Sequence, residues 1–486
     1  MKFRSIALFA LSIGLLSCAS ARKSQQSFSS ICGYVYSDDH SPLAGVLVSD
    51  GVSVVATDKS GRFEMPYDRA SGRFVFVSTP SGYISSSFRG EDCFYQDLQS
   101  DKQEYNFIVR KNPQKDLRHK VVAIADPQLS DTLDFAPFRQ RVADLKEHAA
   151  GFKDNDYSFG ICLGDMVGWN HSFYPFISET LASSGIQFRY VIGNHDMTNY
   201  GRSYETSFLE YEKFFGPTYY SFNVGKVHYV VMDDNFYVGR DWYYIGYLDE
   251  TQLAWLEKDL TLIPKDYKVV LCMHIPTTLG AEDQDAFQYK IIGDNLCNKP
   301  FLYKLLRQHD ATIWSGHMHT NSITEIPDDN GRNIMLEHNL GGFCGSWWCG
   351  DVCVDGCPPG YKVFSFSGTK LQWYYKSCGF DKNYQAKLYL NHPDYPGTAV
   401  AHVWDYDPEW KVEYWEDGKK ICDMERFTGA DPHAKELFEH PVGFKIPWLT
   451  YFETNNLFSA PYSPQARTHE LRITDRFGRI FIIGNK

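Results

Sequence analysis

Apolar and polar positions follow three different rhythms along this chain. From Ser30 to about Val109 the apolar residues come in short runs closed by turn residues, as in Cys32-Gly33-Tyr34-Val35-Tyr36, Gly45-Val46-Leu47-Val48 and Arg73-Phe74-Val75-Phe76-Val77. That is a pattern of short β-strands. From Arg118 to about Gly342 strand-like runs such as Lys120-Val121-Val122-Ala123-Ile124-Ala125 alternate with helical ones. Phe138, Val142 and Leu145 recur at helical spacing within Phe135 to His148. Asp249, with Gln252 three positions on, opens another helix whose apolar face continues through Leu253, Leu256 and Leu260. This alternation predicts an α/β or α+β core with its sheets covered by helices. After Phe343 short strands return, among them Val363-Phe364-Ser365-Phe366, Leu371-Gln372-Trp373-Tyr374-Tyr375 and Ala399-Val400-Ala401-His402-Val403-Trp404. They predict an appended β-rich region.

The expected organisation is therefore a signal segment over 1–18, a polar tether over 19–29, a β-sandwich over 30–112, a catalytic domain over 118–342 and a β-rich domain over 343–486. The signal segment rests on Lys2 and Arg4, then an apolar run from Ile6 to Leu16 that is too short to span a bilayer. It ends in Leu15-Leu16-Ser17-Cys18, which resembles a bacterial lipobox. Cys18 is the expected lipidation site. The expected location is the cell envelope, on the periplasmic side, with the lipid anchor as the only contact with the membrane.

A length of 486 residues exceeds a single ordinary core. The formal net charge of -12 argues against a broad basic surface for nucleic acid. It leaves room for a small anionic substrate, because bound cations supply a local positive field. The chain has 12 cysteines. Cys162 and Cys272 lie inside apolar runs and read as buried thiols. Cys344, Cys349, Cys353 and Cys357 crowd one glycine-rich loop, where one or two disulfides are expected in preference to zinc because no Cys-x-x-Cys pair occurs.

Five segments carry candidate chemistry: Asp126-Pro127-Gln128, Gly164-Asp165, Gly193-Asn194-His195-Asp196, His274-Ile275-Pro276 and Gly316-His317-Met318-His319. Each follows an apolar strand, so all can meet at one sheet edge. Residues two apart in an extended segment point the same way, which pairs Asp126 with Gln128 and His317 with His319. The donors are carboxylate, amide and imidazole, with no thiolate, a set suited to Mn, Fe, Zn, Mg or Ni. They are too many for one tetrahedral ion and enough for two octahedral ones, with Asp165 the natural bridge. A close pair of ions is a known device for displacement at phosphorus.

Taken together the motifs resemble those of the calcineurin-like metallophosphoesterase family, over roughly residues 118 to 342. The resemblance implies two β-sheets packed as a sandwich and flanked by helices. It implies one divalent ion on Asp126, Gln128, Asp165 and His319, and a second on Asp165, Asn194, His274 and His317. His195 would protonate the leaving alkoxide, with Asp196 holding its ring. The family usually has Asp-x-His where this chain has Asp126-Pro127-Gln128. A neutral amide ligand implies a looser or harder first ion. Manganese-dependent ADP-ribose and CDP-alcohol diphosphatases are similar in having Asp-x-Gln. The N-terminal segments Pro42 to Val46 and Thr57 to Phe63 resemble the transthyretin-like, carboxypeptidase-regulatory sandwich. The three-part layout resembles bacterial members with small β domains on both sides.

Asn170, His171, Trp347 and Trp348 follow the second and fifth motifs and are possible substrate contacts. His228, His309, His338 and His402 read as structural, and Asp233 and Asp234 as caps. The expected function is hydrolysis of phosphate esters on a small phosphorylated substrate by a hydroxide activated by two divalent metal ions (Mn, Fe, Zn or Mg). The alternatives are a nucleotide-type pyrophosphohydrolase, and a non-catalytic envelope lipoprotein that binds a ligand or acts as a scaffold.

Overall fold

Two sheets face each other across the centre of the molecule. One has five strands in the order Phe188–Val191, Asp156–Leu163, Lys115–Ile124, Gly360–Ser367 and Lys370–Ser377. The other has six, in the order Tyr220–Val224, Val227–Val231, Lys268–Cys272, Asp310–Ser315, Ile334–Asn339 and Ser322–Pro327. The first three strands of the five-stranded sheet are parallel, as are the four central strands of the other. The computed structural model describes residues 29–67, 72–152, 156–198, 203–239, 244–278, 293–328, 330–332 and 334–485. The signal segment, Cys18 and all but the last residue of the tether lie outside them.

Strand Lys115–Ile124 shows why its sequence is a continuous apolar run. Val121 and Ala123 enter the core between the sheets, while Val122 and Ile124 enter a second core under the helices Phe135–Ala150 and Tyr174–Ala182. A strand buried on both faces loses the alternation of a half-exposed one. Trp314 of one sheet stacks on Phe364 of the other at 3.8 Å. Helix Glu250–Leu262 begins as expected, with the Asp249 carboxylate accepting from the amides of Thr251 and Gln252 at 2.8 and 3.0 Å.

The boundary expected at 342/343 does not divide the sheets. Strands Gly360–Ser367 and Lys370–Ser377 lie beyond it, yet they complete the five-stranded core sheet, with Val363 opposite Val122. Their alternation identifies strands but not which sheet receives them. Two further four-stranded sheets, built from Ala386 to Asn485, pack around Trp410, Tyr414, Phe458 and Leu471. At the other end, two four-stranded sheets enclose Ile31, Val35, Val48, Phe63 and Phe107. They dock on the core through Phe74 and Phe76, and Trp255 Nε1 donates to Ser49 Oγ at 3.0 Å. The buried Arg189 donates to the Ser85 hydroxyl at 2.9 Å and covers Phe94 and Phe222.

The expected disulfides are not formed: every described cysteine is a free thiol. The four loop cysteines point into three surroundings. Cys344 faces Gln128 and His319, Cys349 packs with Val352 and Ala434, and Cys353 and Cys357 share a cluster with Tyr375 and Trp404.

Candidate metal centre

All five motifs begin where a core strand ends, and in three of them the chain turns there under strain. Asp126, Gln128, Asp165, His317 and His319 have φ of 52°, 40°, 53°, 73° and 54°. Non-glycine residues adopt this left-handed region at a cost of about 1–3 kcal/mol each, so the surrounding fold imposes it. Two glycines make room. A Cβ on Gly164 would stand 2.4 Å from His274 Nδ1, and one on Gly193 would stand 2.2 Å from Asp165 Oδ1.

The side chains converge. His274 Nε2 is 3.3 Å from Asp165 Oδ1, 3.1 Å from Asn194 Oδ1 and 4.0 Å from Asp126 Oδ1. His319 Nε2 is 3.7 Å from Asp126 Oδ1. Ligand atoms of Asp165, His274 and His317 lie within 4.8 Å of one another. Gln128 Nε2 donates to Asp165 Oδ2 at 3.0 Å. A half-turn of that amide would present its oxygen instead. Asp126, Gln128, Asp165, Asn194, His274 and His319 are all buried, His274 and His319 completely.

Three main-chain carbonyls orient the imidazoles. His274 Nδ1 donates to Leu163 O at 2.7 Å, His319 Nδ1 to Gly345 O at 2.8 Å, and His317 Nε2 to Gly293 O at 3.0 Å. Fixing the proton on one nitrogen leaves the other as a lone pair, the usual preparation of a metal-binding histidine. In His319 that second nitrogen is buried and has no partner. The set fits a divalent cation: the unpartnered Nε2 of His319 and the two buried carboxylates share one space, and His274 Nε2 faces the same oxygens.

The protonation behaviour agrees. Burial opposes a charged His274, but the carboxylates of Asp165 and Asp126 outweigh it and raise the group to about 10. Burial raises the Asp126 carboxyl well above the usual range. Asp165 is held low despite burial, by His274 and His195. Burial pushes His317 down to about 3 and His319 down to about 4, so both are neutral, as ligands must be.

His195 donates its backbone amide to Asp165 Oδ1 at 2.8 Å, and its Nε2 lies 4.0 Å from Asp165 Oδ2. The expected grip of Asp196 on the His195 ring is absent. The Asp196 carboxylate instead accepts from Gly193 N at 3.0 Å, Met166 N at 3.3 Å and Tyr174 OH at 3.1 Å, closing the turn Asn194–Asp196. His195 Nδ1 is buried without a partner, and the ring packs on Trp169 at 4.3 Å.

The possible substrate contacts separate. Asn170 caps the turn His171–Phe173, and His171 Nε2 donates to Asp196 O at 3.1 Å. Trp348 Nε1 donates to Pro127 O at 3.0 Å, and the ring lies under Arg141. Trp347 stacks on His319 at 3.9 Å and 11°. His228 bonds to Asn223 and Asp259, in keeping with a structural role, and Asp234 accepts from the amides of His274 and Ile275. Sequence reasoning missed Trp169, Tyr174 and the three carbonyls. The carbonyls carry no residue-type signal at all.

Comparison with known proteins agrees with this architecture. Residues 119–321 match the family model of calcineurin-like phosphoesterase, residues 29–112 its N-terminal companion and residues 337–481 its C-terminal companion. Serine/threonine-protein phosphatase CPPED1 of Homo sapiens is 27% identical over 134 residues, which are 27% of this chain and 41% of that protein. The same protein of Pongo abelii matches to the same extent. The chain thus spans 41% of the length of these curated relatives. Among solved structures, a dimetal phosphatase from Danio rerio superimposes with a TM-score of 0.35 at 15% identity, covering 53% of this chain and 96% of that one. A 5'-nucleotidase precursor from Thermus thermophilus gives 0.30 at 15% identity, covering 53% of each chain. The family normally uses a divalent metal centre. With its central region and both flanking regions matched in order, the chain belongs to the calcineurin-like phosphoesterase family.

Proposed function

We propose that this protein hydrolyses phosphoric ester bonds with a pair of divalent cations held by Asp126, Gln128, Asp165, Asn194, His274, His317 and His319. The observation that carries the reading is the shared orientation of the three imidazoles. Each gives one nitrogen to a main-chain carbonyl, and His274 and His319 turn the other toward Asp126 and Asp165. Asp165 would hold the centre of the set, because its two oxygens face different neighbours, Oδ1 toward His274 and Oδ2 toward Gln128.

Bound there, divalent cations supply Lewis-acid neutralisation of the phosphoryl charge and acidify a water nucleophile. The chain does the rest. Burial of both carboxylates keeps bulk water from screening the field at the reacting centre. His195 is the proton donor of this reading. Burial lowers its proton affinity, and an arriving phosphate raises it again, so the ring takes up a proton as substrate binds. It then gives that proton to the departing alkoxide. Asp196 acts one step back, since its hydrogen bonds fix the turn that aims His195.

Gln128 favours a second reading, a pyrophosphohydrolase acting on nucleotide-type diphosphates. A polar tether and a lipidated Cys18 would place either enzyme at the cell envelope; loss of detergent-phase partitioning in Cys18→Ala tests that part. The activity test is removal of metal by a chelator and restoration with Mn, Mg, Zn or Fe. Turnover of p-nitrophenyl phosphate, bis-p-nitrophenyl phosphate and ADP-ribose is then followed, with bound metal counted by elemental analysis. Turnover restored by metal, with two ions per chain, is the expected result. Failure of every metal on every substrate leaves the non-catalytic reading in its place.

A further inference from the structure

The C-terminal region reaches the metal centre through an irregular stretch. Between helix Pro432–Glu439 and strand Thr454–Pro461 the chain runs through residues 440–453 without a regular element. Two contacts pin it beside the metal ligands. Lys445 Nζ pairs with Asp131 at 2.9 Å and with Asp134 at 3.0 Å, just after the Asp126-Pro127-Gln128 motif. Leu449, Phe444 and Ile446 pack into a small core with Cys349, Val352, Phe438 and Trp347.

Trp448 sits on this stretch and is 67% exposed. Its ring meets Trp347 edge to face, with centroids 5.2 Å apart. Trp347 in turn lies flat on His319, the expected metal ligand. An unbroken run of rings therefore leads from the metal centre to solvent. Its inner member is held in place at some cost, since Trp347 has a φ of 49°. Strain of this kind is retained where the position matters. An indole left largely in water adds little to folding, and this one adjoins the ring that lies on His319.

We infer that Trp448 and Trp347 form a ring-binding lip for the organic half of the substrate, which is a phosphoester whose alcohol carries a flat aromatic or heteroaromatic ring. The phosphate end would lie among the metal ligands and the ring would lie against the indoles. Indole against a flat ring gives stacking contact without hydrogen-bond readout, so the lip selects for the presence of a ring and not for its substituents. The inference rests on the phosphoester reading above.

The test compares benzyl phosphate with ethyl phosphate, whose leaving alkoxides are similar in basicity and differ in the ring. In the manganese-loaded full chain, Trp448→Ala should raise KM for benzyl phosphate about five- to tenfold with kcat little changed, while kcat/KM for ethyl phosphate stays within about twofold. Trp448→Phe should restore most of the loss. A second measurement needs no turnover: benzylphosphonate should quench tryptophan fluorescence at lower concentration than ethylphosphonate, and Trp448→Ala should abolish that difference. Equal losses on both esters, or equal quenching by both phosphonates in the wild-type protein, would overturn the lip. If neither ester is hydrolysed, the reaction assigned above fails, and the quenching difference still decides whether the lip binds rings.

Discussion

His274 holds its Nε2 3.3 Å from Asp165 Oδ1 while its Nδ1 is tied to Leu163 O at 2.7 Å. A ring nitrogen surrounded by oxygens needs a proton or a cation among them. Without metal the proton serves, which is why the group is raised to about 10. Metal occupancy should therefore stabilise the fold. At a free concentration about 100 times its dissociation constant a bound ion adds about 2.7 kcal/mol. Chelation should lower the melting temperature by several degrees, reversibly, and Asp165→Asn should lose both this response and about 10²–10³ in kcat. Scanning calorimetry with and without Mn²⁺ checks the first, and steady-state kinetics the second.

His195 should matter in proportion to the need for a proton on the leaving group. His195→Ala should lower kcat by about 10²–10⁴ on alkyl phosphates, and by about tenfold or less on p-nitrophenyl phosphate, whose leaving group departs unprotonated. Equal losses on both would argue that the ring acts on the phosphoryl group and not on the leaving oxygen.

Gly193 is required by space. Its substitution by alanine would place a methyl 2.2 Å from Asp165 Oδ1, whereas at Gly90 the nearest atom is 3.9 Å away. Gly193→Ala should cost about 1–3 kcal/mol and displace Asp165 from the ligand set, with loss of bound metal. Gly90→Ala should leave both properties alone. Urea denaturation and elemental analysis of the two variants make the comparison.

Acid stability should depend on a residue far from the chemistry. His119 donates from Nδ1 to Asp116 O at 2.8 Å and accepts the Tyr229 hydroxyl at Nε2, 2.6 Å away, with Phe366 stacked on it. Burial pushes it down to about 4. The unfolded chain takes up this proton near pH 6.5 and the folded one only near pH 4. The contribution is thus complete above about pH 6.5 and is lost, to the extent of about 3 kcal/mol, as the pH falls toward 4. His119→Phe should flatten the dependence of the urea midpoint between pH 7 and 4.5; parallel curves for the two proteins would exclude it.

The five motifs were legible because strands that end in Asp, Asn and His have no packing reason to do so. Asp126, Asp165, Asn194, His274 and His319 do gather. What stayed hidden is what depends on geometry across the chain. Asp196 follows His195 directly, yet its carboxylate turns back to Gly193 and to Tyr174 on a neighbouring helix. The cysteine count gave no hint that Cys344 would face His319. Trp448 lies 101 positions after Trp347, and no spacing rule links them.

Strand Gly360–Ser367 covers the edge of Lys115–Ile124. Cutting the chain at residue 342 would bare a long apolar edge with its amides and carbonyls ready to pair with another molecule. A fragment ending there should aggregate, whereas one that keeps Lys370–Ser377 has its native neighbour in place. The C-terminal family region, residues 337–481, thus carries two strands of the core sheet, and an exchanged region has to bring equivalents of both.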